Sequence, residues 1–254
     1  MSSAKAIDYT DGDEMHYEEL IWEGYSGVRF EFEDTIAMLI RPKGSPNGKW
    51  IYKTEYFGVF PAVEKELLDR GYHLLFDKNQ NRWGEPYDLE RKIRFMNFVP
   101  GEFGLEEKCS MVGMSCGGMY AVKLAAIAPN KVNCLYLDAP VINFLSCPFA
   151  LGSAVDAVSD EYVRLTGRTL TDMLSYREHP LDKIPALAEH RIPIILVAGG
   201  SDRIVPFEEN GGLLADYYKA LGLEIEVHIK PECDHHPHGL DNPRIIADFI
   251  ERHS

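Results

Sequence analysis

The stretch KCSMVGMSCGGMY, residues 108–120, holds the first residues whose types and spacing could do chemistry, a serine at position 115 between glycines at 113 and 117. An apolar strand-like run, residues 109–112, leads in, and a helical pattern continues out through residues 121–128. A strand can release so sharply into a helix only if the residues two before and two after the apex nearly lack side chains, which Gly113 and Gly117 provide. The apex then lifts the Ser115 hydroxyl to the carboxyl end of a sheet, as a nucleophile would require. The amide of Cys116, at the helix N-terminus, points where an oxyanion would form. A thiol is the better intrinsic nucleophile, but moving the apex to Cys116 sets Met114 and Gly118 at the crowded positions, where methionine does not fit. The similar GYSGV at residues 24–28 has its second glycine one place early and reads as a hairpin turn.

A serine needs a base, and a base needs an orienting acid. AGGSDRIVP, residues 198–206, follows an apolar run and offers Asp202; KPECDHHPHG, residues 230–239, follows the next and offers His235, His236 and His238. A neutral imidazole can take the serine proton near neutral pH, and the carboxylate can hold its tautomer and stabilise the imidazolium. His235 comes first after the loop turns and is the first choice of base, with His236 the alternative; His238 is expected to fix the loop. Three histidines beside Cys233 and Asp234 also have the chemistry of metal ligands. Pro237 interrupts any helical i, i+4 pairing, however, and a base already accounts for one histidine, so no metal and no cofactor is assigned.

The elements that must hold these residues follow from periodicity. Residues 18–42 alternate in three strand-like runs punctuated by Gly24, Gly27 and the pair Glu33–Asp34, an antiparallel meander. Beyond it strands and helices alternate: strand 50–53, helix 61–71, strand 73–76, helix 88–103 broken near Pro100, the strand and helix around Ser115, and strand 133–141 ending at Asp138. The alternation resumes with strand 192–198, helix 212–221, strand 224–229 and helix 243–252. That order gives an α/β chain with a mostly parallel sheet covered on both faces, and sites collect at the carboxyl ends of such strands. Residues 143–190 carry helical pieces but no strand signal, and read as a small helical cap inserted into a single domain spanning 1–254.

The chain has 254 residues with 40 acidic and 26 basic side chains, a formal charge of -14. Without a Lys/Arg cluster, nucleic acid and anionic membranes are excluded as partners. Five cysteines at irregular spacing do not form a disulfide framework, and the N-terminus lacks both a basic region and an apolar run. The expectation is a cytoplasmic protein with a short mobile lead of about a dozen residues. No motif speaks to oligomeric state.

From about residue 50 to 252 the chain resembles the α/β-hydrolase superfamily, whose nucleophile, acid and base occur in the order of Ser115, Asp202 and His235. TEYFG (54–58), GMSCGG, GGSDRIVPFEENGG (199–212) and DHHPHGLDNP resemble bacterial esterases and prolyl-oligopeptidase-like hydrolases in particular. The elbow of that group commonly reads G-x-S-R-G-G, and Cys116 stands here in place of the arginine. The resemblance puts the second oxyanion donor at the amide of Glu55 or Tyr56, in the loop after strand 50–53. Tyr56, Phe57 and Trp83 are candidate pocket walls, since aromatic faces stack on sugar rings and acyl groups alike. The implied activity is hydrolysis of a small carboxylic ester, an acylated carbohydrate among the candidates, with a small-molecule ester as the only partner. A peptidase or thioesterase on the same fold is the alternative, and a non-catalytic binding protein the third reading.

Overall fold

The computed structural model describes residues 15–155 and 158–254. The N-terminal lead expected to be mobile lies outside the described residues. Strands β1 (Tyr17–Trp22), β2 (Tyr25–Phe32) and β3 (Thr35–Ile40) form the antiparallel meander, and β4 (Trp50–Lys53), α1 (Ala62–Asp69), β5 (His73–Asp77) and α2 (Pro86–Phe103) follow. Then come β6 (Cys109–Met114), α3 (Cys116–Ile127), β7 (Val132–Asp138), α4 (Ser159–Thr166), α5 (Leu170–Met173), α6 (Ile184–Glu189), β8 (Ile194–Gly199), α7 (Gly211–Ala220), β9 (Ile225–Lys230) and α8 (Arg244–His253).

The nine strands form one sheet in the order β1-β2-β3-β5-β4-β6-β7-β8-β9, with β3 antiparallel to β5 and every pair from β5 to β9 parallel. Side chains of the central strands alternate between two apolar layers. Met111, Leu135, Leu137, Ile194 and Leu196 face the layer containing α2, α3, α6 and α7. Val112, Cys134, Tyr136, Ile195 and Val197 face the layer of α1 and α8. A strand buried on both faces must be apolar throughout, which is why β6 and β8 read as continuous hydrophobic runs. Among the described residues no helix is long and apolar enough to cross a membrane.

Two expectations are corrected. The α2 helix does not break near Pro100: the proline removes only the hydrogen bond its own N–H would have made, in the last turn, and the helix ends instead on Gly104 at φ 65°, whose N–H bonds Pro100 O at 3.0 Å. The expected cap is also too long at its C-terminal end. The α6 helix packs on α3 and α7 as the crossover that a parallel β7–β8 pair requires. The pieces beside the site come from residues 143–155 and the start of α4, through Cys147, Val158 and Glu161.

Candidate active site

Ser115 sits between β6 and α3 with φ 51° and ψ -119°, a backbone conformation that non-glycine residues seldom adopt and that here is held from both sides. Its N–H donates to Asp138 O at 2.8 Å, and its carbonyl accepts from Gly118 N and Val141 N, each at 3.0 Å. The tight turn needs glycine at a position the sequence reading passed over. A Cβ on Gly113 would fall 2.7 Å from Gly117 O, as expected of that residue. A Cβ on Gly118 would fall 2.9 Å from Pro140 Cα and closer still to its Cβ, whereas one on Gly117 would meet Glu55 Cβ and Thr54 Oγ1 at 3.2 Å and Glu55 N at 3.4 Å. The crowded pair is therefore Gly113 and Gly118.

The carboxyl edge of the sheet brings the other groups to this apex. His235, on the loop after β9, has Nε2 at 3.1 Å from Ser115 Oγ and Nδ1 at 2.7 Å from Asp202 Oδ2. Asp202, after β8, uses its other oxygen to accept the amides of Ile204 and Val205, both at 2.8 Å. Burial by itself would raise this carboxyl, but the bonds from His235 and the two amides outweigh it and hold Asp202 below its usual range. Since a carboxylate only accepts, His235 Nδ1 carries the proton and Nε2 presents its lone pair to the serine. His236 does not enter this chain of bonds. Its ring is exposed and stacks on Phe60 at a centroid separation of 5.6 Å.

His238 is tied to a second carboxylate. Its Nδ1 lies 2.7 Å from Asp138 Oδ1, while Asp138 Oδ2 accepts from Gly239 N at 2.6 Å and Tyr136 Oη at 2.9 Å. This buried pair pins the histidine loop to the end of β7, directly beside the elbow. The sequence placed Asp138 at the end of a strand and His238 in a fixing role, but offered no signal joining two residues a hundred positions apart.

A cavity of about 410 Å³ opens onto Ser115, and Tyr56, Arg82, Trp83, Cys116, Val158 and His236 are among its walls. Tyr56 and Trp83 thus stand where they were expected. Phe57 does not: it packs on Trp22 and Phe76, at centroid separations of 5.3 Å each, and serves the contact between the loop after β4 and the N-terminal strands. Tyr56 has φ 57°, and its amide donates to Glu55 Oε1 at 3.2 Å. The loop carrying both is fastened to the elbow helix by Thr54 Oγ1, which donates to Gly117 O at 2.7 Å. The Cys116 amide, first in α3, has no acceptor within the helix, as an amide free to face an oxyanion would require. Burial pushes the Cys116 thiol up to about 11, despite Arg82 nearby, so it remains protonated and is no rival nucleophile.

Arg82 was not foreseen. It reaches the cavity from the loop after β5, gripped by Glu161 of α4 through Nε at 2.8 Å and Nη2 at 2.7 Å, with Nη1 at 3.4 Å from Tyr56 Oη. A guanidinium therefore stands near Tyr56 and Cys116 although the elbow itself lacks one. The loop is held by a buried ionic network: Asp88 accepts Gln80 N at 2.9 Å, Arg91 Nη2 donates to Lys78 O at 2.8 Å, and Tyr120 Oη donates to Asn81 O at 2.6 Å. The charged pattern of α2 looked like an ordinary amphipathic helix, which is why the network was invisible in the sequence.

The chain is 22% identical over 219 residues to the acylamino-acid-releasing enzyme of Rattus norvegicus, matching 79% of this chain and 28% of that one. It superposes on Pyrococcus horikoshii acylaminoacyl peptidase with a TM-score of 0.67 at 14% identity, over 95% of this chain and 42% of that one. It also superposes on MGS-MChE2, an α/β hydrolase enzyme from a lagoon-sediment metagenome of Mar Chica, Morocco, with a TM-score of 0.55 at 14% identity, over 88% and 96%. No protein-family model matches. The chain thus spans about a quarter of the rat relative's length and about two-fifths of the archaeal peptidase's.

Proposed function

The chain has the α/β-hydrolase fold, and we propose that it is a serine hydrolase acting on a small carboxylic ester, with acylated carbohydrates among its substrates. The observation that carries this reading is the relay from Asp202 through His235 to Ser115, at 2.7 Å and 3.1 Å, facing a cavity that exposes the serine hydroxyl. Ser115 Oγ attacks the acyl carbon as its proton passes to His235 Nε2. The oxyanion forms against the Cys116 amide, assisted by an amide of the Glu55–Tyr56 loop once Glu55 releases it. The imidazolium then protonates the leaving alcohol, and a water activated by the same nitrogen hydrolyses the acyl-enzyme. No step calls for a metal or an organic cofactor.

A cavity of about 410 Å³ lies near the lower end of small-molecule pockets, which supports a short acyl group. The names of the rat and archaeal relatives favour a second reading, release of an N-acylated residue from a peptide. A turnover panel separates the two: p-nitrophenyl esters from acetate to octanoate, acetylated and feruloylated sugars, an acyl coenzyme A, and an N-acetylated peptide amide. Acetate to butyrate and the acylated sugars should lead. Amide cleavage without esterase activity would transfer the function to the peptidase reading.

A further inference from the structure

Both histidine–carboxylate pairs at this edge leave the same nitrogen available. Asp202 and Asp138 accept only, so His235 and His238 each donate from Nδ1, at 2.7 Å in both pairs, and keep a lone pair on Nε2. A histidine whose far N–H is fixed by a carboxylate is the arrangement that orients imidazoles as metal ligands. The third ring completes a near-equilateral set. The centroids of His235, His236 and His238 are 4.8, 5.1 and 4.9 Å apart, with planes inclined by 61°, 81° and 88°. One ligand nitrogen from each lies within 4.8 Å of the others. Around a tetrahedral zinc ion such nitrogens stand about 3.3 Å apart, so the three must draw together by up to about 1.5 Å when the ion binds. The exposed His236 can move most, while His235 and His238 must also draw together by turning about their carboxylate bonds. All three line the cavity over Ser115, and the chain's acidic balance favours a dication.

We infer that His235, His236 and His238 form a binding site for a divalent transition-metal ion, zinc foremost, and that its occupation inhibits the enzyme. The lone pair that accepts the Ser115 proton is the one the ion takes, so base catalysis and metal binding exclude each other at His235 Nε2. The consequence for activity rests on the proposed hydrolase function; the binding does not.

The test adds cobalt(II) chloride to the metal-free chain, follows visible absorption, and displaces the cobalt with zinc chloride. Intense tetrahedral bands at one ion per chain are expected, retained in Ser115→Ala, which removes no ligand. His236→Ala, at an exposed position, should fold normally by circular dichroism and weaken binding on the order of a hundredfold, and Asp138→Asn by about 10- to 100-fold through the lost orientation of His238. Zinc should abolish ester turnover reversibly, with the inhibitory concentration in His236→Ala, relative to that variant's own metal-free rate, raised in step with its weaker binding. Absence of the bands at millimolar cobalt, undiminished affinity in His236→Ala, or full turnover in the zinc-saturated chain would each overturn the site. A chain that binds cobalt through these residues yet hydrolyses nothing in the panel would refute the hydrolase reading and leave the metal site standing.

Discussion

Replacing Gly118 by alanine should damage the proposed activity far more than the same change at Gly117, although Gly117 is the residue that the G-x-S-x-G pattern marks. At Gly118 the new Cβ would lie 2.9 Å from Pro140 Cα and nearer still to Pro140 Cβ. Ordinary carbon contacts need about 3.5–4 Å, so an overlap of roughly 1 Å must be relieved by moving backbone. The backbone that moves is the segment after β7, which holds the elbow through Ser115 N to Asp138 O and Val141 N to Ser115 O. Overpacking of this kind costs about 1–3 kcal/mol, and a displacement near 1 Å in the reacting group costs on the order of a hundredfold in rate. At Gly117 the new Cβ meets Glu55 Cβ and Thr54 Oγ1 at 3.2 Å and Glu55 N at 3.4 Å, contacts that a shift of a few tenths of an ångström in the Thr54–Glu55 loop relieves. The gain in helix propensity, about 1 kcal/mol, offsets that contact, and Gly117→Ala should stay within about tenfold of wild-type activity. Urea midpoints and steady-state rates on p-nitrophenyl acetate measure both variants. Equal losses at the two positions, or a fully active Gly118→Ala, would refute the packing argument.

Asp202→Asn keeps an acceptor for the amides of Ile204 and Val205 but presents an N–H to His235, forcing the tautomer whose Nε2 is already protonated; kcat should fall by about 10⁴-fold with the fold retained by circular dichroism. His235→Ala should lose activity to the level of a serine mutant while His236→Ala keeps much more, and the reverse result in ester assays would move the base one residue along. Lys123, buried against Gly84 O at 3.1 Å, is pushed down by burial to about 8 from 10.5. Below pH 8 both folded and unfolded chains hold its proton and the buried charge opposes folding in full. The penalty fades between pH 8 and 10.5, where only the unfolded chain remains protonated. That shift corresponds to at most about 3 kcal/mol, less about 1 for the Gly84 carbonyl left without its donor, so Lys123→Met should be about 2 kcal/mol more stable at pH 7 and lose that advantage by pH 10.5 in thermal or urea melts.

The strands were legible because β6, β7 and β8 are buried on both faces and must be continuously apolar. The relay was legible because each member follows its own strand. What escaped the sequence is contact between loops. Phe57 and Tyr56 are neighbours in an aromatic-rich turn, and only the placement of Trp22 decides that Phe57 turns toward the N-terminal strands. Nothing in the sequence sets Pro140 against Gly118, so the close approach that demands glycine there shows only in the fold. Arg82 and Glu161 lie far apart in the chain, each in a polar stretch that resembles any solvated surface, and meet only because α4 lies beside the loop after β5. Ile184–Glu189 was assigned to the cap because six helical residues carry no mark of whether they roof a site or cross behind the sheet.

The claim on which the rest depends is that Ser115 is made nucleophilic by His235. Incubation with a fluorophosphonate followed by peptide mass spectrometry tests it most directly, since the reagent needs an activated serine but no knowledge of the substrate. One adduct per chain is expected, on the peptide containing Ser115, absent in Ser115→Ala and formed on the order of a thousandfold more slowly in His235→Ala. An unlabelled wild-type chain, labelling on another residue, or unchanged labelling of His235→Ala would contradict the account.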